Sequence, residues 1–154
     1  MTGHLVWIID EEWAEYDTER ELLREWDPQC DIRFSGYDYA NDLEAFGYRA
    51  DLILAQVYAP IPRSTIERLE CCKGIALFGG GYDRVDVDAA AERGIPVTNV
   101  HGYCKEDLAD YVLAAMFRWN KPQNGYAPLI ASGVWGAQAI VDPPHRLSAC
   151  TLLI

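Results

Sequence analysis

Apolar residues in this chain gather into short continuous runs separated by longer stretches of mixed character. Leu5-Val6-Trp7-Ile8-Ile9, Leu52-Ile53-Leu54-Ala55-Gln56-Val57 and Ile75-Ala76-Leu77-Phe78 are the clearest runs. Their length and lack of strict alternation predict strands covered on both faces, as in a parallel sheet. Ile32-Arg33-Phe34 is a weaker strand of the same series, and Val97 closes it. The intervening stretches carry helix signals. Thr18 and Glu21 stand in capping-box spacing ahead of Leu22, Leu23 and Trp26, and Asp27-Pro28 ends that helix. Residues 39–46 predict a short helix with Leu43 and Phe46 inward. Ser64 and Glu67 repeat the capping-box spacing before Ile66 and Leu69. Asp86 is an N-cap for Ala89-Ala90-Ala91, and Gly94 is the stop. Five strands thus alternate with four helices, which predicts an α/β fold: a flavodoxin-like, doubly wound parallel sheet of about five strands.

The strongest helical pattern comes next. Leu108, Tyr111, Val112, Ala115, Met116 and Trp119 recur at helical spacing, and Pro122 is the expected end. Beyond it Pro128, Pro143, Pro144, Gly125, Gly133 and Gly136 interrupt any sustained period. Residues 121–154 therefore predict an extended arm and no second core.

Half of the 154 residues are apolar, enough for one sizeable core. The net charge of −11 argues against nucleic acid, because binding phosphate backbones needs clustered Lys and Arg. Much of the acid lies in residues 1–50, where a solvated acidic surface is the expectation. The five cysteines are odd in number, with Cys71 and Cys72 adjacent, and Met1-Thr2-Gly3-His4 lacks the parts of a secretory signal. A cytoplasmic protein is expected. No apolar run approaches the roughly 20 residues that span a bilayer, so no membrane association is expected.

Gly79-Gly80-Gly81 stand where the third long run ends. Glycine admits positive φ and close approach to the backbone, so such a turn can expose N–H groups to an anion. It is not a dinucleotide fingerprint: with Gly79 and Gly81 as the first two glycines of G-x-G-x-x-G, the third position is Arg84. Two other constellations carry little. His101, Cys104, Cys71 and Cys72 match no zinc spacing. Asp10-Glu11-Glu12 suit a phospho-receiver pocket, but the third strand ends in Gln56-Val57-Tyr58 with no aspartate phosphoacceptor.

The segments Cys72-Lys73-Gly74-Ile75, Gly79-Gly80-Gly81-Tyr82-Asp83-Arg84-Val85-Asp86 and Ala89-Ala90-Ala91-Glu92-Arg93-Gly94-Ile95-Pro96-Val97-Thr98-Asn99-Val100 follow one another in an order that resembles the D-isomer-specific 2-hydroxyacid dehydrogenases. Tyr103-Cys104-Lys105-Glu106-Asp107-Leu108-Ala109-Asp110-Tyr111 resembles that family's crossing helix, most closely in its C-terminal-binding-protein-like branch. Ser132-Gly133-Val134-Trp135 and Arg146-Leu147-Ser148-Ala149-Cys150-Thr151-Leu152-Leu153-Ile154 resemble the stretch up to the coenzyme domain. The resemblance implies a substrate-binding (catalytic) domain in residues 1–104, then in 105–154 a crossover helix and arm leading to an NAD-binding domain absent from this chain. It implies an oxidoreductase acting with NAD on small 2-hydroxy or 2-oxo acids. The family's dinucleotide loop and its catalytic Arg, Glu and His have no counterpart here, so the chain is expected to be inactive alone; a non-enzymatic remnant that binds a small acid or a protein partner is the alternative. By the same resemblance, the backbone N–H groups of Gly80 and Gly81 hold the substrate carboxylate, and Tyr58 falls where a residue closes over the substrate. Val112 stands where relatives often carry a threonine that touches the cofactor, a hydrogen bond that valine cannot make. The stripe from Leu108 to Trp119 would pack partly on the coenzyme domain, and left exposed it implies a homo-oligomer.

Overall fold

The computed structural model describes residues 3–121, 123–140 and 145–153. The chain divides into two compact units, residues 1–103 and 104–154. The first contains five strands, β1 (Leu5–Ile9), β2 (Asp31–Ser35), β3 (Leu52–Ala55), β4 (Gly74–Leu77) and β5 (Val97–Thr98), with helices α1 (Asp17–Trp26), α2 (Ala40–Ala45), α3 (Arg63–Ile66) and α4 (Val87–Glu92) between them. All strand pairs are parallel and the order is β2-β1-β3-β4-β5. This is the flavodoxin-like, doubly wound α/β sheet that the alternation predicts.

Alternation of side chains along each strand divides the core between two faces. Trp7, Ile9, Ile53, Ala55, Ile75 and Leu77 share one face with Leu43, Phe46, Ile66, Leu69, Ala89 and Ala90, so α2, α3 and α4 cover it. Trp7 is fully buried, with edge contacts to Tyr39 and Phe46 at 5.4 and 5.7 Å between ring centroids. Its indole N–H donates to Ser35 Oγ at 2.8 Å, and Ser35 Oγ donates to Asp42 Oδ2 at 2.6 Å. Gly47 lies against this ring: a Cβ there would sit 2.4 Å from Trp7, so only glycine fits. On the opposite face Val6 and Ile8 are fully buried. Ile8 pairs in register with Phe34, whose ring meets buried Tyr16 at 5.2 Å.

Several helix boundaries differ from the sequence pattern, for local reasons. Neither capping box forms. Helix α1 begins one residue before Thr18, with Tyr16 at the N-cap, and α3 begins at Arg63 behind Pro62, one residue before Ser64. In both cases the hydroxyl residue is inside the first turn, where it cannot cap. Asp86 does cap, its Oδ1 accepting the Ala89 N–H at 2.8 Å, and Gly94 ends α4 at φ +68°. Of the expected inner face of α1, only Leu23 is half-buried, while Leu22 and Trp26 are exposed. Tyr16 and Leu23 are seven residues apart and form the docking stripe, which leaves Leu22 and Trp26 on the flank. Trp26 instead packs, tilted, against His4 at 4.6 Å between ring centroids, and His4 Nδ1 lies 2.8 Å from Asp27 Oδ2.

The second unit contains α5 (Lys105–Asn120) and α6 (Gln123–Ala131), with 3₁₀ turns at Gly136–Ala139 and Leu147–Ala149. Helix α5 matches the predicted pattern; Pro122, its expected end, lies outside the described residues, as do Pro143 and Pro144. Within the arm the structure adds a helix that periodicity does not reveal. Helix α6 carries Pro128 in its interior and has no buried residue, so neither propensity nor an amphipathic face marks it. Among the described residues no helix is long and apolar enough to cross a membrane.

Candidate functional site

Ligands of open α/β sheets bind beyond the carboxyl ends of the strands. At that edge the structure gathers Asp10 after β1, the 56–59 loop after β3, the glycine turn after β4, and Asn99-Val100 after β5. Two contacts bring the middle loops together. Ile61 N–H donates to the Arg84 carbonyl at 2.8 Å and Asp86 N–H to the Ile61 carbonyl at 3.0 Å, so the loop after β3 is zipped to the segment that follows the glycines. A Cβ on Gly79 would also sit 2.7 Å from Val57 Cγ1. Gly80, Gly81 and Tyr58 are thereby carried on adjoining loops of one edge.

The glycines serve this turn differently from the sequence expectation. None of the three has positive φ; the positive-φ glycines are Gly94, Gly102, Gly133 and Gly136. Gly79 is buried and required by packing against Val57, whereas Gly80 and Gly81 are exposed, and Cβ atoms there would have only neighbours at 3.5 Å and 3.3 Å. What the missing side chains leave open is the backbone. The Gly79 carbonyl accepts from Val100 N–H at 3.0 Å, and the Gly80 carbonyl accepts from Asn99 Nδ2 at 2.7 Å. The N–H groups of Gly80 and Gly81 donate to no acceptor among the described residues. Two consecutive unpaired donors in solvent at a sheet's carboxyl edge can accept an anion.

Asp10 organises the neighbouring loop. It is buried, takes φ +65°, and its Oδ2 accepts the N–H groups of Tyr58 at 3.0 Å and Ala59 at 2.8 Å. In sequence Asp10 stands out only as a member of an acidic run; its structural role is to hold the Tyr58 loop. The signal was present in its type, since aspartate is among the few residues that enter the left-handed region readily. Tyr58 itself is exposed, so its ring is free at the mouth of the edge. Gln56 is buried beside it, and its amide nitrogen has no acceptor among the described residues. A groove of about 590 Å³ runs along β5 between it and α4 and reaches the carboxyl edge at Tyr82 and Asn99, without the three glycines of the turn among its lining.

A dinucleotide pyrophosphate does not fit this turn. Five residues, Tyr82 to Asp86, intervene before α4, that helix is six residues long, and the Asp86 carboxylate already occupies its N-terminus. A second anion there would face a fixed negative charge.

The family model described as D-isomer specific 2-hydroxyacid dehydrogenase, catalytic domain, matches residues 9–148. The chain belongs to this family. Similar curated 2-hydroxyacid dehydrogenases include an (S)-sulfolactate dehydrogenase of Chromohalobacter salexigens, 28% identical over 154 residues that cover 99% of this chain and 47% of that protein. A glyoxylate reductase of Thermococcus litoralis is 27% identical over 99 residues, covering 54% of this chain and 30% of that one. Among solved structures, a 2-hydroxyacid dehydrogenase from Ketogulonicigenium vulgare Y25 matches with a TM-score of 0.71 at 27% identity, over 96% of this chain and 45% of that one. The chain thus spans about half the length, or less, of the relatives it matches. It is a 2-hydroxyacid dehydrogenase domain by sequence and by fold, and its parallel-sheet edge is the part of that domain described above.

Proposed function

We propose that residues 1–104 are the substrate-binding part of an NAD(P)-dependent 2-hydroxyacid dehydrogenase, with 105–154 as its crossover helix and arm. The backbone N–H groups of Gly80 and Gly81 hold the carboxylate of a 2-hydroxy or 2-oxo acid, and Tyr58 closes over it. The observation that carries this reading is the pair of consecutive, solvent-exposed N–H groups without a protein acceptor at the carboxyl edge of the sheet. A carboxylate is common to the acids named for the two curated relatives, sulfolactate and glyoxylate, and backbone donors recognise it without regard to the rest of the molecule. That matches a family in which the acid varies. Hydride transfer belongs to the whole enzyme, where the nicotinamide supplies the hydride; no residue of this chain is assigned to the cofactor or to acid/base chemistry.

The test is amide shift mapping of the protein with millimolar oxalate or pyruvate. Shifts are expected to centre on Gly80 and Gly81, to be lost in Gly81→Val, and to persist in Asp83→Asn. In the first variant branched methyls cover the donor, while the nearest obstacle to a Cβ, Asp83 Oδ1 at 3.3 Å, is the end of an exposed side chain. Shifts centred elsewhere, or none at saturating ligand, would remove the carboxylate role.

Self-association is the second part of the reading. On α5, Leu108, Tyr111, Val112, Ala115 and Trp119 of the predicted stripe are exposed, Trp119 at 73%, and Met116 is half-buried. Burying one such side chain fully is worth roughly 1.5–3 kcal/mol, and a contiguous apolar surface of this kind marks an interaction site. Sedimentation equilibrium at tens of micromolar protein, on the order of ordinary assay concentrations, is expected to show species larger than a monomer. A single ideal monomer under those conditions contradicts the proposal.

A further inference from the structure

The glycine turn raises a question of its own: three successive residues without side chains have no steric reason to keep their peptide planes in one orientation. A flipped plane would present a carbonyl oxygen where an anion needs a donor. The structure supplies the restraint from the end of β5. Every peptide bond in the described chain is trans, so within each peptide unit the C=O and the following N–H point in opposite directions. The Gly79 carbonyl belongs to the same plane as the Gly80 N–H, and the Val100 N–H holds it at 3.0 Å. The Gly80 carbonyl belongs to the same plane as the Gly81 N–H, and the Asn99 side-chain amide holds it at 2.7 Å. Both carbonyls are therefore turned toward 99–100, and both N–H groups away from it.

We propose that Asn99 is a positioning residue for the carboxylate site: by donating to the Gly80 carbonyl it fixes the plane whose other end is the Gly81 N–H, and so aims that donor at the ligand. The proposal rests on the reading that Gly80 and Gly81 bind a carboxylate. The two planes differ in how they are held. The Gly80 donor is oriented by backbone, through Val100, and survives substitution; the Gly81 donor is oriented by a side chain and does not. Hydrogen bonds in a chain also polarise one another, so the bond from Asn99 makes the Gly81 N–H a stronger donor as well as a better-aimed one. Asn99 is half-buried, and its side chain has no other hydrogen-bond partner among the described residues, so its work is directed at the turn.

Asn99→Ala tests this, with oxalate as the probe and amide shift mapping as the readout. In the parent, oxalate moves the amides of both Gly80 and Gly81. In Asn99→Ala the Gly80 amide still responds, the Gly81 response is reduced or lost, and oxalate binds roughly three- to tenfold more weakly, as the loss of one oriented hydrogen bond predicts. Asn99→Leu, which keeps the side chain's branched shape but cannot donate, gives the same selective loss. The thermal midpoint moves little in either variant, which separates aiming from folding. If both glycine amides respond in Asn99→Ala as in the parent, with unchanged affinity, the positioning role is overturned and the carboxylate site stands. If oxalate moves neither glycine amide in the parent, the carboxylate site itself fails and the positioning role falls with it.

Discussion

Trp7→Ala is expected to remove about 3–5 kcal/mol of stability, the range for truncating a large buried aromatic. Set against total stabilities of about 5–15 kcal/mol for natural domains, that brings the chain close to unfolding. The reasons are specific. The ring is fully buried on the face of the sheet that α2 covers, it meets Tyr39 and Phe46 edge-on, and Gly47 is kept bare so that the backbone can approach it within van der Waals distance. Removing it leaves a void that Gly47 cannot fill. Trp7→Phe keeps most of the packing and loses chiefly the bond to Ser35, whose hydroxyl still donates to Asp42; its expected cost is about 1–2 kcal/mol. Urea denaturation followed by far-ultraviolet circular dichroism separates the two. With a slope of about 1–3 kcal/mol per molar urea, the alanine variant should lose on the order of one molar or more in its midpoint, and a midpoint equal to the parent's would contradict the packing argument.

The strand order was readable because buried parallel strands write themselves as apolar runs, and five of them separated by helix-length stretches leave few topologies. Tertiary contacts decided what the pattern could not. Ser64 and Thr18 have the residue types of N-caps, yet Pro62 and Tyr16 set where those helices begin, and cap spacing alone cannot weigh a proline or a docking aromatic against a hydroxyl. At the site, Gly80 and Gly81 were readable as glycines at a strand's end, but the reason for them was not. Positive φ is absent, and Gly79 is explained by Val57, a neighbour 22 residues away in the chain and one strand away in the sheet. The same limit hid Asn99 and Asp10. Each acts through a hydrogen bond to backbone at a distance in sequence, 19 residues for Asn99 to Gly80 and 48 for Asp10 to Tyr58. Aspartate's ease in the left-handed region marks Asp10 as a residue of interest, but backbone donors and acceptors leave no mark on residue type, so only the fold reveals which groups the two side chains hold.

Asp10→Ala is expected to cost about 2–4 kcal/mol and to release the Tyr58 loop. Its carboxylate is the acceptor for two N–H groups, those of Tyr58 and buried Ala59, and stranding a buried donor costs about 1–3 kcal/mol. Alanine must also adopt φ +65°, which is unfavourable for a residue without a local hydrogen-bonding side chain by about 1 kcal/mol. Asp10→Asn distinguishes shape from charge. Asparagine enters the left-handed region as readily as aspartate, and its Oδ1 can take both N–H groups, so this variant should stay within about 1 kcal/mol of the parent. Hydrogen exchange reports the loop directly. The Tyr58 and Ala59 amides should exchange faster in Asp10→Ala and near the parent rate in Asp10→Asn, while the amides of β1 and β3 follow only the global change in stability. Equal exchange and equal stability in the two variants would mean that the carboxylate does not hold the loop. A loop freed in this way also loses its fixed place beside the glycine turn, since Tyr58 is anchored to the sheet edge by its N–H to Asp10 and by the Ile61 zipper three residues on. Oxalate contacts at Gly80 and Gly81 should therefore survive Asp10→Ala better than any shift of the Tyr58 amide, which separates the two halves of the proposed site.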